Sequence, residues 1–242
     1  MKNGIPNEPG KLKEFIFVPG NHDCCFDDVD EVANREKLIG DTLGYNGTVP
    51  PSVVNISCKL QKHFEDFVAE YSSQPETHNS LISVRNYIVN SFPINIYCFN
   101  TAWMSMKNEE KSDQPGKMYM PMNMLNNELF LRESKLNIAV LHHPDLWRNP
   151  TNAREFQRLI ERTSDLAFIG HSHKEEQNLV DNLKHKRTIY VNGGAFKDKE
   201  KPGICQFKTI CGGCRARAYI YSKDPLNQDP ACAYQPKKAK KT

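Results

Sequence analysis

The chain has 242 residues, of which 38% are hydrophobic and 25% are charged, and its formal net charge is +3. These proportions exclude a disordered chain and provide enough apolar residues for a full core. No run of about 18 apolar residues occurs, which excludes a transmembrane helix. Residues 1–13 are polar and lack the apolar centre of a signal peptide. We therefore expect a cytoplasmic protein without a membrane partner.

The small positive charge comes from the end of the chain. The last six residues include four lysines, namely Lys237, Lys238, Lys240 and Lys241. Without them, the remaining 28 Lys and Arg against 29 Asp and Glu give a net charge of −1. This distribution indicates a solvated tail and not a basic surface, so no nucleic-acid partner is expected.

Alternating or apolar runs, helical spacing and breaker residues predict the elements in chain order. Strands are predicted at 14–19, 81–90, 94–100, 138–141, 166–169, 188–191, 205–210 and 216–221. Helices are predicted at 29–38, 60–71, 122–131 and 154–161, with a charged loop at 107–116. The resulting organisation is a polar segment at 1–13, one domain at 14–223 and a polar, Lys-rich tail at 224–242.

The eight cysteines fall into three groups. Cys24 and Cys25 are adjacent, and neighbours in sequence rarely form a disulfide with each other. Cys58 and Cys98 lie in apolar stretches and are predicted to be core thiols. Four others cluster late in the chain, namely Cys205, Cys211, Cys214 and Cys232. The spacing of Cys211 and Cys214 suits half a zinc knuckle, a redox pair or a tight turn between strands, and the turn is favoured because no second Cys-x-x-Cys occurs. The role of the late cluster stays open.

Three short motifs each follow an apolar run. Gly20-Asn21-His22-Asp23 follows residues 15–18, His142-His143-Pro144 follows 138–141, and Gly170-His171-Ser172-His173 follows 166–169. Strand ends meet at one edge of an open α/β sheet, which is where such sheets bind ligands. Imidazole nitrogen and amide oxygen together suit borderline metal ions. The motifs therefore predict one converging metal site.

These motifs, in this order, resemble those of the calcineurin-like metallophosphoesterases, over roughly residues 15–221. The resemblance implies an α/β (α+β) fold, a four-layer sandwich of two mixed β-sheets flanked by helices. It implies that Asn21, His142 and His171 ligate a second metal ion and that His173 ligates a first. It also implies that His22 contacts the phosphoryl oxygens as a general acid and that Asp23 orients its ring.

The chain departs from the family at its beginning. The family's Asp-x-His and Gly-Asp-x-x-Asp/Asn motifs have no counterpart, and Asp41, in the only Gly-Asp pair, is a weak substitute for the bridging carboxylate. The first β-α-β unit is therefore expected to be missing. The family's two Mn, Fe or Zn ions are thus reduced to at most one that is held well.

Three functions remain open at this stage. The first is a metal-dependent phosphoesterase acting on a phosphomonoester or phosphodiester substrate, incomplete and weakly active or inactive as written. The second is a non-catalytic phosphoesterase-like domain that binds one metal ion, a protein partner or both. The third and weakest is a nuclease. The missing unit also predicts a homo-oligomer or a partner chain that covers an exposed sheet edge.

Several residues near the motifs keep two interpretations. His143 is either a donor behind the metal ligands or a loop residue. Asp145 and Trp147 either line a cleft or pack, and the pair at 100–101 either approaches the site or caps a turn. Three further histidines, His63, His78 and His185, are predicted to be solvated.

Overall fold

A computed structural model describes residues 15–27, 29–43, 48–72, 75, 77–125, 127–130, 133–171, 176–180 and 188–192. These residues form a mixed α/β structure around one sheet. Its strands are β1 (Thr77–His78), β2 (Ile82–Val89), β3 (Phe92–Phe99), β4 (Leu136–Leu141), β5 (Leu166–Ile169), β6 (Glu176–Val180) and β7 (Thr188–Asn192). The helices are α1 (Val29–Leu43), α2 (Pro51–Cys58), α3 (Lys62–Tyr71), α4 (Glu109–Ser112) and α5 (Pro150–Thr163).

The sheet has seven strands in the order β1-β2-β3-β4-β5-β7-β6. Its centre is parallel, since β3 pairs with β4, β4 with β5, and β5 with β7 in that sense. On one side of this centre, β2 pairs antiparallel with β3 and β1 with β2, and on the other side β6 pairs antiparallel with β7. Leu141 lies opposite both Phe99 and Ile169, so β3, β4 and β5 end side by side. The loops that follow these strands are thereby brought together at one edge.

Alternation along the central strands separates the two sheet faces. Ala139 and Leu141 are buried on one face of β4, and Ala167 and Ile169 on the same face of β5. The opposite face is more exposed, and Phe168 keeps 41% of its surface accessible. The buried face is therefore the one that joins the hydrophobic core.

Helix α5 contributes the aromatic centre of this core. Its first turn is set by Asn149, whose side chain accepts a hydrogen bond from the Thr151 backbone N–H, and by Pro150 at the first helical position. Phe156 is fully buried and meets Phe99 edge-on at 5.1 Å between ring centroids. The start of α5 is thus fixed close to the loop that follows β4.

The predicted fold class is confirmed, and most predicted elements are present. Strands β2 to β5 and β7 and helices α1, α3 and α5 occur where the sequence predicts them, with α1 and α5 longer than expected. The sequence also missed β1 and β6. Helix α2 is also absent from the sequence prediction, although Pro51 suits the first turn of a helix.

Two predicted elements are wrong. Residues 15–20 form no strand, since in the described part of the chain they find no ladder partner. The helix predicted at 122–131 is two short 3₁₀ turns, Met122–Met124 and Asn127–Phe130. Pro121 begins the first turn, and the backbone at Leu125 then leaves helical geometry and ends it.

Other predictions fall beyond the described residues. They include the polar segment at 1–13, the strands at 205–210 and 216–221, the tail at 224–242, the four late cysteines, His173 and His185. A second sheet, and with it the four-layer arrangement, is not seen among the residues described. None of the helices in those residues is both long enough and apolar enough to span a membrane.

Candidate metal centre

His142 is the central residue of the candidate site. It directly follows β4, and its ring lies between two glycines that precede the other motifs. A Cβ added at Gly20 would stand 2.9 Å from His142 Cε1, and one at Gly170 would stand 3.1 Å from His142 Nδ1. Real Cβ atoms essentially never come within 3.0 Å of another atom, so a side chain at Gly20 would displace the imidazole. The contact at Gly170 is tight, and a Cβ there would require the ring to move by a few tenths of an ångström.

Asn21 and His171 present ligand atoms to the same nitrogen of His142. Asn21 Oδ1 lies 3.0 Å from His142 Nε2, and His171 Nδ1 lies 3.1 Å from it. A tetrahedral ion with bonds of about 2.0–2.1 Å separates its ligand atoms by roughly 3.3 Å. The structure therefore brings together three of the four residues predicted to bind metal, at nearly the spacing one ion requires.

His171 has an unusual backbone. Its φ angle is +65°, in the left-handed region that few residues other than glycine adopt. Such strain persists where surrounding contacts impose it, and it is common at functional sites. Here the Trp147 ring packs edge-on against the His171 ring, with 4.8 Å between centroids. This contact gives Trp147 a packing role at the site.

The turn that carries Asn21 is closed by Asp23. The Gly20 backbone N–H donates to Asp23 Oδ2 at 2.8 Å, and the Asp23 N–H donates to the Gly20 carbonyl at 3.1 Å. Asn21 is nearly buried in this turn, and His22 is exposed. At least one oxygen of Asp23 thus holds the backbone of the turn, a role that the sequence did not predict.

His143 lies behind the site in a buried polar network. Its Nε2 is 3.0 Å from Asp113 Oδ1, and its Nδ1 is 3.2 Å from Thr101 Oγ1. Burial lowers the pKa of His143 despite the neighbouring carboxylate, so the ring is neutral near pH 7. Burial alone would raise the pKa of Asp113, but hydrogen bonds from His143, Ser105 and Ser112 outweigh it and lower that pKa.

Arg148 fixes the loop between His143 and α5. It is 2% exposed, and it donates to Asp145 Oδ1 at 2.6 Å and to the His143 carbonyl at 3.3 Å. Its guanidinium stacks over Phe156 at 4.4 Å. Burial lowers the pKa of Arg148 and raises that of Asp145, and their mutual attraction opposes both shifts. Asp145 therefore belongs to an ion pair within this loop.

Sequence reasoning missed Asp113 and Arg148. Asp113 lies in the charged loop predicted at 107–116, where nothing in the pattern distinguishes a buried carboxylate from a solvated one. Arg148 had one signal, since a Pro-Asp-x-x-Arg spacing places opposite charges three residues apart. The sequence leaves open whether Thr101 approaches the site or caps a turn. In the structure Thr101 does approach the site, through its hydrogen bonds to the ring and the backbone N–H of His143.

Comparison with known proteins gives short matches. No protein-family model matches the chain. An AdoMet-dependent heme synthase of Methanosarcina barkeri is 39% identical over 69 residues, covering 25% of this chain and 20% of the relative. Those of Nitratidesulfovibrio vulgaris and Oleidesulfovibrio alaskensis are 47% and 45% identical over 38 residues, each covering 16% of this chain and 10% of the relative. The chain thus spans a fifth or less of the length of these relatives.

The metallophosphoesterase interpretation is wrong by this comparison, because these relatives are named for AdoMet-dependent synthesis of heme and not for hydrolysis of phosphate esters. The correction covers the hydrolase function, its non-catalytic phosphoesterase-like alternative, and the dinuclear Mn, Fe or Zn cofactor. The general-acid role of His22 and the orienting role of Asp23 depended on that chemistry. The physical reason is that glycine-flanked imidazoles at strand ends describe a metal-binding geometry, and such a geometry is not tied to one reaction.

Proposed function

We propose that the described domain binds a single metal ion through Asn21 Oδ1, His142 Nε2 and His171 Nδ1. The observation that supports the proposal is that Asn21 Oδ1 and His171 Nδ1 lie 3.0 and 3.1 Å from His142 Nε2. His142 and His171 follow the parallel strands β4 and β5, and Asn21 lies in a 3₁₀ turn. Two imidazoles and an amide oxygen suit ions of the borderline class. His173, which the resemblance assigned to a different ion, lies outside the described residues and is not part of this proposal.

Metal counting on purified protein tests the proposal. The natural chain loaded with cobalt(II) is expected to retain about one ion per chain after dialysis, with the visible absorption of nitrogen-ligated cobalt. Substitution His142→Gln removes the shared ligand, so cobalt affinity is expected to fall by at least about 100-fold. The matched control is His63→Gln, which removes an exposed imidazole on α3 and should leave binding unchanged. Equal retention by both variants would contradict the proposal.

A second candidate function comes from the relatives. We infer that the complete protein acts in AdoMet-dependent heme synthesis, on the support of three matches at 39–47% identity. The proposed ion site does not fit AdoMet itself, because Asn21 Oδ1 and His171 Nδ1 both lie about one hydrogen-bond length from His142 Nε2, a spacing for one ion and not for a nucleoside.

Equilibrium dialysis with radiolabelled AdoMet tests this second candidate independently of the metal. Saturable binding is expected in the natural chain and also in His142→Gln, since the ion site and the AdoMet site are taken to be separate. Absence of binding to both proteins would count against the heme-synthesis proposal and leave the metal proposal standing.

Two broader expectations remain proposals. Among the described residues Cys24, Cys25, Cys58 and Cys98 form no disulfide, which agrees with a cytoplasmic location, where disulfides are rare. A homo-oligomer or a partner chain at a free sheet edge is supported by the position of β1 and β6 at the two ends of the strand order.

A further inference from the structure

His143 lies close to the proposed ligands His142 and His171. Its position alone would make it a third histidine ligand of the ion. A nitrogen of its ring lies within 4.8 Å of ligand nitrogens of His142 and His171. Its ring centroid is 4.7 Å from that of His142 and 4.9 Å from that of His171. It is also fully buried. Proximity therefore does not decide whether His143 binds the ion or holds the residues that do.

The hydrogen bonds of His143 distinguish the two roles. Asp113 Oδ1 faces Nε2 at 3.0 Å, and a carboxylate only accepts, so Nε2 carries the proton and donates it. The hydroxyl oxygen of Thr101 accepts the His143 backbone N–H at 2.9 Å. The hydroxyl proton of Thr101 is then available for His143 Nδ1, which lies 3.2 Å from Thr101 Oγ1 and accepts the hydrogen bond. Both ring nitrogens are thus engaged away from the metal centre.

The carboxylate on the far side is itself held in place. Asp113 is buried and accepts hydrogen bonds from the hydroxyl groups of Ser105 and Ser112, each at 2.9 Å. If Nε2 of His143 turned to an ion, Asp113 would keep the hydroxyl donors of Ser105 and Ser112 but lose the imidazole N–H at Oδ1. Removing a donor from a buried carboxylate is costly, so the arrangement opposes ligation by His143.

We propose that His143 is a positioning residue and not a metal ligand. Thr101 and Asp113 hold His143 between them, and we call these three residues the clamp. Because His143 directly follows His142 in the chain, the clamp also fixes His142, whose Nε2 then faces Asn21 and His171. The clamp acts on the backbone through the His143 N–H and on the ring by edge-on packing, since the two imidazole planes cross at 88°. This inference rests on the proposed metal centre and names the residues that complete it.

Nuclear magnetic resonance of the natural chain tests the inference without any substitution in the clamp. Protein labelled with ¹⁵N-histidine is loaded with ¹¹³Cd, which shows one-bond coupling to each nitrogen that ligates it. Coupling is expected at His142 Nε2 and His171 Nδ1, and His143 should keep its Nε2–H signal without coupling. Coupling at all three histidines, or loss of the His143 Nε2–H on loading, would overturn the clamp and leave the metal centre intact. Absence of coupling at all three would overturn the metal centre, and the clamp with it.

A matched pair of substitutions adds a second readout. His143→Gln keeps a donor for Asp113, so the ¹¹³Cd chemical shift should stay that of the natural chain while cadmium affinity falls about tenfold. His142→Gln removes a ligand and should move the ¹¹³Cd shift or abolish the signal. A shift that moves equally in both variants would identify His143 as a ligand. Thermal unfolding shows whether each variant folds, and the measurement on the natural chain stands in either case.

Discussion

At the scale of single residues, the candidate centre depends on the space around one imidazole. The His142 ring lies against both Gly20 and Gly170, where an added Cβ would stand 2.9 Å and 3.1 Å from ring atoms. In this position its Nε2 lies within 3.1 Å of Asn21 Oδ1 and His171 Nδ1. The glycines thus make room for the proposed metal ligand, although neither contributes a donor atom.

Substitution Gly20→Ala is therefore expected to displace His142 and to weaken metal binding by about tenfold or more. The matched control is Gly40→Ala on α1, where an added Cβ meets nothing within 4 Å. That control should leave metal affinity unchanged and stabilise the helix by about 0.5–1 kcal/mol. Cobalt titration of both variants checks the prediction, and equal affinities would contradict it.

At the scale of elements, the start of α5 holds the segment that precedes the 3₁₀ turns. Asn152 Oδ1 accepts the Met120 N–H at 2.6 Å, and Asn152 Nδ2 donates to the Met120 carbonyl at 2.8 Å. Both residues are buried, so one side chain replaces a ladder partner for this stretch of backbone. The same region is joined by the pairing of Met118 with Arg148 and Asn149.

Substitution Asn152→Ala leaves one buried donor and one buried acceptor of Met120 without partners. The free energy of unfolding is expected to fall by about 2–4 kcal/mol, since each unpaired group costs about 1–3 kcal/mol. Thr151→Ala, at the exposed neighbouring position, should change it by less than about 0.5 kcal/mol. Urea unfolding at neutral pH measures both, and a loss below 1 kcal/mol in the Asn152 variant would show that water replaces the side chain.

At the scale of the whole molecule, buried thiols make stability depend on alkaline pH. Burial raises the pKa of Cys24 and Cys98 to about 11 and that of Cys58 to about 12, from an ordinary value of 9.0. Because each folded-state pKa lies above its unfolded value, the stabilising effect is complete below pH 9. It is lost as the pH rises through the folded-state values, since the unfolded chain then releases protons first.

Stability is therefore expected to decline between pH 9 and 11, with Cys98 contributing about 2–3 kcal/mol of the loss. Substitution Cys98→Ala should flatten this decline, whatever it does to stability at pH 7. Thr151→Ala, which removes no ionisable group from an exposed position, should leave the slope unchanged. Urea unfolding at a series of pH values under reducing conditions provides the measurement. An identical slope in the natural chain and the Cys98 variant would show that Cys98 ionises freely in the folded state.

The sequence by itself determined the mixed α/β class, the central strands and the meeting of His142 with His171. Asn21 does reach them, but not from a strand end, because the strand predicted before Gly20 is not formed. Period-two alternation and the glycines at strand ends are local signals, and parallel strands carry their ends to one edge regardless of what lies between them. The three short sequence motifs did not determine a reaction, and their resemblance to the metallophosphoesterases led to the wrong family. Only the tertiary structure decided that Asp113 faces His143 and that Arg148 holds the loop, because such contacts join residues with no pattern in common. A buried charge and a solvated one look alike in sequence, and they differ only in what folding places against them.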